Sequence, residues 1–267
     1  MLKNRPQSNP DGDAEPESEL PTDGLVRLNK FMAELGVASR RKCDEMIVAG
    51  KVSVDGQPAV ELGTKIDPTR QSVDVNGVIL KPLGVRRRYY LLNKPRGVVC
   101  TNEPREARMR AIDLITDRNK GRIFSVGRLD EDSSGLLLLT NDTDWAERVA
   151  SPTQHVPKTY RAQVAPRLDE AALVRLRAGV VLEDGPTRPA LVERIRDAGA
   201  TTILELTISE GRNRQVRRML REVGSRVRSL KRVRVGELPL GSLPSGTWRR
   251  LTPQEVELFP ARSRHTH

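Results

Sequence analysis

Aromatic residues make up only 3% of this 267-residue chain. That is too few for the broad base-stacking platforms of single-strand-binding proteins, although one or two placed rings remain open. Cysteine is nearly missing: Cys43 and Cys100 are the only two, which excludes a disulfide scaffold and a zinc ribbon. Histidine is as scarce, and two of its three positions (His155, His265, His267) sit at the C-terminal end, so no His/Cys metal centre is expected. The longest aliphatic stretch is Leu136–Leu139, far short of the roughly 18 residues of a membrane helix. Met1-Leu2-Lys3-Asn4-Arg5-Pro6 has no apolar signal core. A cytoplasmic protein with no membrane partner is expected. Neither a phosphate-binding glycine loop nor a dinucleotide fingerprint occurs.

What the chain has is positive charge, unevenly placed. The net is +11 with a pI near 10.2, which points to a polyanion, most often nucleic acid. Residues 1–24 oppose this with Lys3 and Arg5 against six acids, so the remainder carries +15. That first segment also holds four prolines and almost no apolar residue. It cannot bury enough surface to offset its ordering entropy and reads as a disordered acidic tail.

Order is expected from Leu25. Leu28, Phe31, Met32 and Leu35 fall on one helical stripe, and Gly36 stops it. Ser39 can cap a second helix with Cys43, Met46 and Ile47 inside, ended by Gly50. Val52-Ser53-Val54 alternates like a strand, and Asp55-Gly56 signals a hairpin returning through Gln57–Val60. A boundary is placed near 84–86, after Lys81-Pro82-Leu83-Gly84. Beyond it, strand patterns (Tyr89–Leu92, Gly135–Thr140, Thr159–Val164, Thr202–Ile208) mix with helical ones (Asp144–Ala150, Asp169–Ala178, Asn213–Val223) without steady alternation. The fold class is therefore α+β, with a mixed, mainly antiparallel sheet. The three segments are 1–24, 25–84 and 85–262.

Two places concentrate basic residues. Arg40, Arg41 and Lys42 occupy the first turn of the second helix, where positive charge opposes the helix dipole by roughly 0.3–1 kcal/mol each. A docked anion would relieve that; a solvated basic turn is the plainer reading. Residues 211–234 hold ten Arg or Lys and one acid, Glu222. Within them Val216, Met219, Leu220 and Val223 form one helix face, Arg214, Arg218 and Arg221 the other, with Arg217 at the border. Charged helix faces usually intersperse acids; the near absence here favours a polyanion.

Arg27-Leu28-Asn29-Lys30-Phe31, Gly36-Val37-Ala38-Ser39-Arg40-Arg41-Lys42 and Gly50-Lys51-Val52-Ser53-Val54-Asp55-Gly56 together resemble the S4 RNA-binding domain over about residues 25–71. The resemblance implies that Arg27, Lys30, Arg40, Arg41, Lys42 and Lys51 grip structured RNA, chiefly at phosphates. Such contacts position a protein without reading sequence. Arg212, Arg214 and Arg218 are expected to add a second RNA contact.

The segment with chemical promise is Gly127-Arg128-Leu129-Asp130, ahead of Ser134-Gly135 and a buried leucine strand. An aspartate two residues from an arginine can be held ionised by it, and such a carboxylate is a competent nucleophile or base. On the residues alone, an ordinary loop aspartate in a surface ion pair is the commoner case. The string from Gly127 to Asp142, however, resembles the signature of RNA pseudouridine synthases of the RsuA/RluB/RluE/RluF group. Tyr90–Gly97, Lys158-Thr159-Tyr160-Arg161 and Gly211–Met219 resemble its other motifs, over about 25–252 in all. The sequence departs from the pattern at Asn141-Asp142-Thr143-Asp144-Trp145. A glycine is missing there, and Trp145 replaces an aliphatic, which leaves the local turn geometry open.

The resemblance implies that Asp130 is the catalytic aspartate and that Arg128 helps flip or hold the target nucleotide. It makes Tyr160 the stacking residue, Val216 a pocket wall and Arg217 the basic partner of Asp130. It implies isomerisation of a uridine in ribosomal RNA, of the large subunit or an assembly intermediate, by a monomer without cofactor or metal. Val37–Arg41 and Glu61–Lys65 look most like the RluB branch. Two other readings are a non-catalytic RNA-binding or ribosome-assembly factor built from the same parts, and a DNA-binding regulator, supported only by helix–turn–helix spacing at 26–49.

Overall fold

A computed structural model of the chain describes residues 24–80, 86–103 and 105–260. The expected acidic tail lies, apart from Gly24, outside the described residues. The backbone divides into two compact units after Arg86.

In the first unit, α1 (Leu28–Glu34) and α2 (Arg40–Val48) precede short strands β1 (Val52–Val54), β2 (Gln57–Pro58), β3 (Val73–Val75) and β4 (Val78–Leu80). The strands pair antiparallel in the order β2-β1-β3-β4. The expected helical stripe is the core: Leu28, Phe31, Met32, Cys43 and Ile47 are buried with Val52, Ile66 and Val73. Ser39 Oγ accepts from the Lys42 amide at 3.2 Å and caps α2. Asp55 and Gly56 both take positive φ, as a tight two-residue hairpin requires. Asn76-Gly77 does the same between β3 and β4, a turn the sequence reading passed over.

The second unit is built on a nine-stranded sheet. Its principal strands are β5 (Tyr89–Lys94), β6 (Phe124–Val126), β7 (Ser134–Thr140), β8 (Lys158–Ala165), β9 (Leu191–Ala198), β10 (Thr201–Ile208), β11 (Arg226–Val235) and β12 (Trp248–Arg250). The order is β9-β10-β8-β11-β7-β5-β12, with β6 also on β7. Pairing between these strands is antiparallel except at β11–β7. Helices α3 (Thr143–Ala150), α4 (Glu170–Ala178) and α5 (Gln215–Glu222) pack on it. No helix of the described residues is long and apolar enough to cross a membrane.

The leucine run is a strand buried on both faces. Leu136 and Leu138 enter one core with Trp145, while Leu137 and Leu139 enter another with Tyr90. That explains why β7 reads as continuous leucine rather than as an alternation. The turn after it closes without glycine. Asp142 caps α3 by accepting from the amides of Asp144 and Trp145, and Tyr89 Oη donates to it at 2.7 Å. Trp145 fills the space beneath, fully buried, edge-on to Tyr89 and Phe259.

At the single parallel junction, Gly135 faces Arg232. A Cβ on Gly135 would lie 2.2 Å from the Arg232 carbonyl oxygen, and its φ is +104°. Both facts demand glycine. Gly135→Ala is expected to cost about 2–4 kcal/mol, whereas Gly211→Ala, which meets nothing within 4 Å, changes stability by about 0.5 kcal/mol or less. Urea unfolding of the two variants against wild type measures the contrast.

Candidate active site

The loop between β6 and β7 is pinned along its length. Gly127 turns it at φ +68°. Leu129 is buried, and its amide meets Cys100 Sγ at 3.5 Å. The Gly97 amide donates to the Glu131 carbonyl at 2.8 Å, and the Ser133 amide donates back to the Asp130 carbonyl at 3.1 Å. The fixed backbone leaves the Asp130 side chain 33% exposed.

The cations that meet this loop come from the segment entering α5. Arg214 Nη1 lies 3.3 Å from Asp130 Oδ2. The same guanidinium grips Asp132 with both terminal nitrogens, at 3.2 and 2.9 Å. Arg217 Nη2 lies 3.0 Å from Asp132 Oδ1 and donates to the Asp132 carbonyl and to Ser133 Oγ, each at 3.1 Å. Two expectations are corrected here. The ion-pair partner of Asp130 is Arg214 rather than Arg217, which binds Asp132. Nor does Arg128 hold Asp130; it is exposed and has no hydrogen bond or ion pair among the described residues. Proximity in sequence misled because a loop residue at i−2 projects along a different direction from a helix entry folded over the loop.

Arg214 holds its position in a left-handed backbone conformation, φ 46° and ψ 32°, a strain of about 1–3 kcal/mol for a residue with a side chain. Arg217 Nε is a buried donor without a partner among the described residues. Burial pulls the Arg217 pKa down against the attraction of Asp132. At Asp132 burial pushes the carboxyl up, but hydrogen bonds from Arg214 and the charges of Arg217 and Arg214 outweigh it. The result lies below the ordinary carboxylate value.

Beside this junction opens a cleft of about 160 Å³. Tyr160, Val216, Arg217, Arg214, Arg212 and Arg128 all line it; Asp130 stands at its side, joined to it through Arg214. Tyr160 is half-buried on β8, opposite Leu206 and Arg232, and packs against two of the apolar cores. Val216 is buried on the inner face of α5. Residues 126–128, Lys158 and Tyr160, the 210–217 segment and Arg232 thus meet around one cleft, with α3 adding Val149 and Ala150.

The expected basic face of α5 is largely neutralised. Arg218 is held by Asp184 through two 2.9 Å bonds. Arg212 donates to the carbonyls of Gly185 and Pro186 and to Glu210. These two arginines fasten the 181–186 hairpin to α5: the acids missing from the local sequence arrive from elsewhere in the fold. In the first unit Arg27, Arg41 and Lys51 are exposed, and their side chains make no hydrogen bond or ion pair among the described residues. Lys42 pairs with Glu45 at 2.6 Å, Lys30 with Glu34 at 3.9 Å, and Arg40 reaches Asn29 at 3.5 Å. Sequence reasoning passed over Asp132, Lys158, Glu210 and Arg232. Lys158 and Arg232 lay within quoted basic or motif segments but had no spacing to single them out. No cluster of three or more His, Cys, Asp or Glu suited to a metal ion occurs among the described residues.

Because the Asp132 pKa is depressed on folding, its ion pairs stabilise above the unfolded carboxylate pKa of about 3.9 and are lost as pH falls through the lower folded value. Wild type is expected to exceed Asp132→Asn in stability by no more than about 1 kcal/mol, given solvent screening, at pH 6. The gap closes below about pH 4; thermal melts across pH 3–7 test it.

Known proteins resemble this chain along most of its length. The family described as RNA pseudouridylate synthase matches residues 88–222, and the S4 domain matches 26–71. The ribosomal large subunit pseudouridine synthase B of Bacillus subtilis is 42% identical over 90% of this chain and 98% of its own length. An uncharacterised RNA pseudouridine synthase of Aquifex aeolicus is 41% identical over 88% of this chain and 94% of its own. A crystal structure of a pseudouridylate synthase superposes with a TM-score of 0.64 at 33% identity, over 88% of this chain and 99% of that one. The chain belongs to the RNA pseudouridine synthase family and carries an S4 domain at its N-terminus.

Proposed function

We propose that this pseudouridine synthase isomerises a specific uridine in large-subunit ribosomal RNA, with Asp130 as the catalytic carboxylate. The observation that carries the reading is the Asp130–Arg214 pair at the side of a cleft lined by Tyr160, Val216 and Arg217. The choice of RNA follows the large-subunit name of the B. subtilis relative.

In the reaction the N1–C1′ bond of uridine breaks, the base turns, and a C5–C1′ bond forms. The C5 hydrogen leaves as a proton and N1 regains one, so nothing is exchanged with a second substrate. The uridine must leave its stack, at a cost of a few kcal/mol. Stacking on Tyr160, worth about 1–3 kcal/mol by analogy with single-strand binders, offsets much of that. Val216 supplies an apolar wall, and Arg128, whose side chain has no partner among the described residues, follows the RNA backbone as the base is extruded. The Arg214 contact at 3.3 Å aims the Asp130 carboxylate, as either attack on the sugar or proton removal requires.

Asp130→Asn is expected to lower uridine isomerisation by at least about 10³-fold while leaving RNA affinity within a few-fold of wild type. Mass spectrometry of a ribosomal RNA transcript after single-turnover incubation reads this out, and full activity of the variant would refute the assignment. A second expectation separates free arginines from occupied ones. Arg41→Ala and Arg128→Ala should each reduce the salt dependence of RNA binding by about 0.7–0.9 in log–log slope. Arg218→Ala should leave the slope unchanged and instead lower stability by about 1 kcal/mol. Filter-binding titrations over a salt series, paired with urea melts, separate the two groups.

A further inference from the structure

Two cations of the cleft have no part in the chemistry above. Lys158 opens β8 and is half-buried. Its ammonium makes no hydrogen bond or ion pair among the described residues. Elsewhere the fold satisfies its sequestered lysines: Lys94 Nζ donates to the carbonyls of Pro95 and Val98 at 2.9 and 2.7 Å, and Lys120 Nζ to those of Ile112 and Ile115 at 2.9 and 2.6 Å. Lys158 is given no such cage. Arg232 is only 5% exposed. Its Nε donates to the Leu136 carbonyl at 2.8 Å, and no carboxylate binds its guanidinium among the described residues. Both side chains line the same cleft.

The cleft does not neutralise them. Its only acidic lining residue, Glu210, is already engaged by Arg212, by the Gln215 side chain and by the Arg188 amide. The other charged groups facing the cleft are Arg128, Arg212, Arg214 and Arg217, all cations, while α3 contributes Val149 and Ala150. Two neighbouring like charges, one half-buried and one buried, are costly without a counter-ion. A neutral base carbonyl would leave that charge uncompensated, whereas an anion would cancel it. We infer that Lys158 and Arg232 form a subsite for a backbone phosphate of the RNA strand that occupies the cleft, beside the nucleotide stacked on Tyr160. The inference rests on the reading that RNA enters this cleft, and it assigns these residues to holding the strand rather than to the chemistry.

Burial and the neighbouring Arg232 charge push the Lys158 pKa down to about 8. A phosphate binds the charged form, so binding is full below that value and weakens as pH rises through it. An arginine at 158 stays charged throughout.

The test uses the full chain and a ribosomal RNA transcript, with dissociation constants measured over a salt series. Lys158→Gln should bind about 5-fold more weakly at roughly 0.1 M salt and lose about 0.7–0.9 of the log–log slope, and Lys158→Arg should restore both. Between pH 7 and 9 wild-type affinity should fall, while Lys158→Arg stays level; that comparison decides even where the glutamine variant folds poorly. An unchanged slope in Lys158→Gln, or parallel pH profiles for wild type and Lys158→Arg, would overturn the subsite. If wild type isomerises no uridine in the transcript, the proposed substrate fails instead, whatever the slopes.

Discussion

Arg214 reaching across to Asp130 and Asp132 is the contact around which the second unit is arranged. The arginine comes from the entry to α5 and the two carboxylates from a loop more than eighty residues earlier. A single guanidinium serving two carboxylates holds the loop in register with the helix, and Arg217 adds a second fastening to Asp132 and Ser133. The left-handed backbone at Arg214 and the unpartnered Arg217 Nε are the local costs. Such costs persist only where the surrounding structure fixes the geometry. Here the fixing elements are the buried Leu129 and Val216, one on each side.

That fixing depends in turn on how the sheet is closed. One half of it, β9-β10-β8-β11, carries Tyr160, Lys158 and Arg232; the other, β7-β5-β12, carries the loop with Asp130. They meet at one short parallel pairing, Lys231 with Ser134 and Arg232 with Gly135. Gly135 allows the two backbones to approach, and Arg232 Nε bonds the Leu136 carbonyl across the seam. The serine and glycine that follow the aspartate are therefore structural words in a functional motif. They set where one half-sheet stands relative to the other, and so where the carboxylate stands relative to the tyrosine.

Much of this was legible in the sequence, for identifiable reasons. Elements with strong local periodicity were visible: the stripe of Leu28, Phe31 and Met32, the Ser39 cap, the leucine strand, and the inner face of α5 at Val216, Met219 and Leu220. β11 was not. Its Arg226, Arg228, Lys231 and Arg234 hide the strand pattern inside a basic run, so the segment read as charge rather than as the central strand of a sheet. The same blindness affected pairing. Asp184 neutralises Arg218 from thirty-four residues away, and Asp132 captures Arg217 across eighty-five. Local charge counts cannot see acids that the fold delivers from a distance, and so they overstated the free positive surface of α5.

The free positive charge near the cleft is smaller than the local count suggests, and more sharply placed. Once Arg212 and Arg218 are removed from the free charge, what remains near the cleft is a small set of cations in different situations. Arg128 is exposed and unengaged, Arg214 and Arg217 are committed to carboxylates, and half-buried Lys158 and buried Arg232 have no acid among the described residues. An exposed cation interacts with a phosphate through water and salt, and its contribution is mainly attraction at a distance. A cation already stripped of water interacts more strongly at contact, because the desolvation cost was met when the chain folded. On the proposed reading, exposed arginines attract the polyanion while Lys158 and Arg232 fix its position. That division of labour suits an enzyme that must hold one nucleotide out of its stack while the rest of a large RNA stays folded.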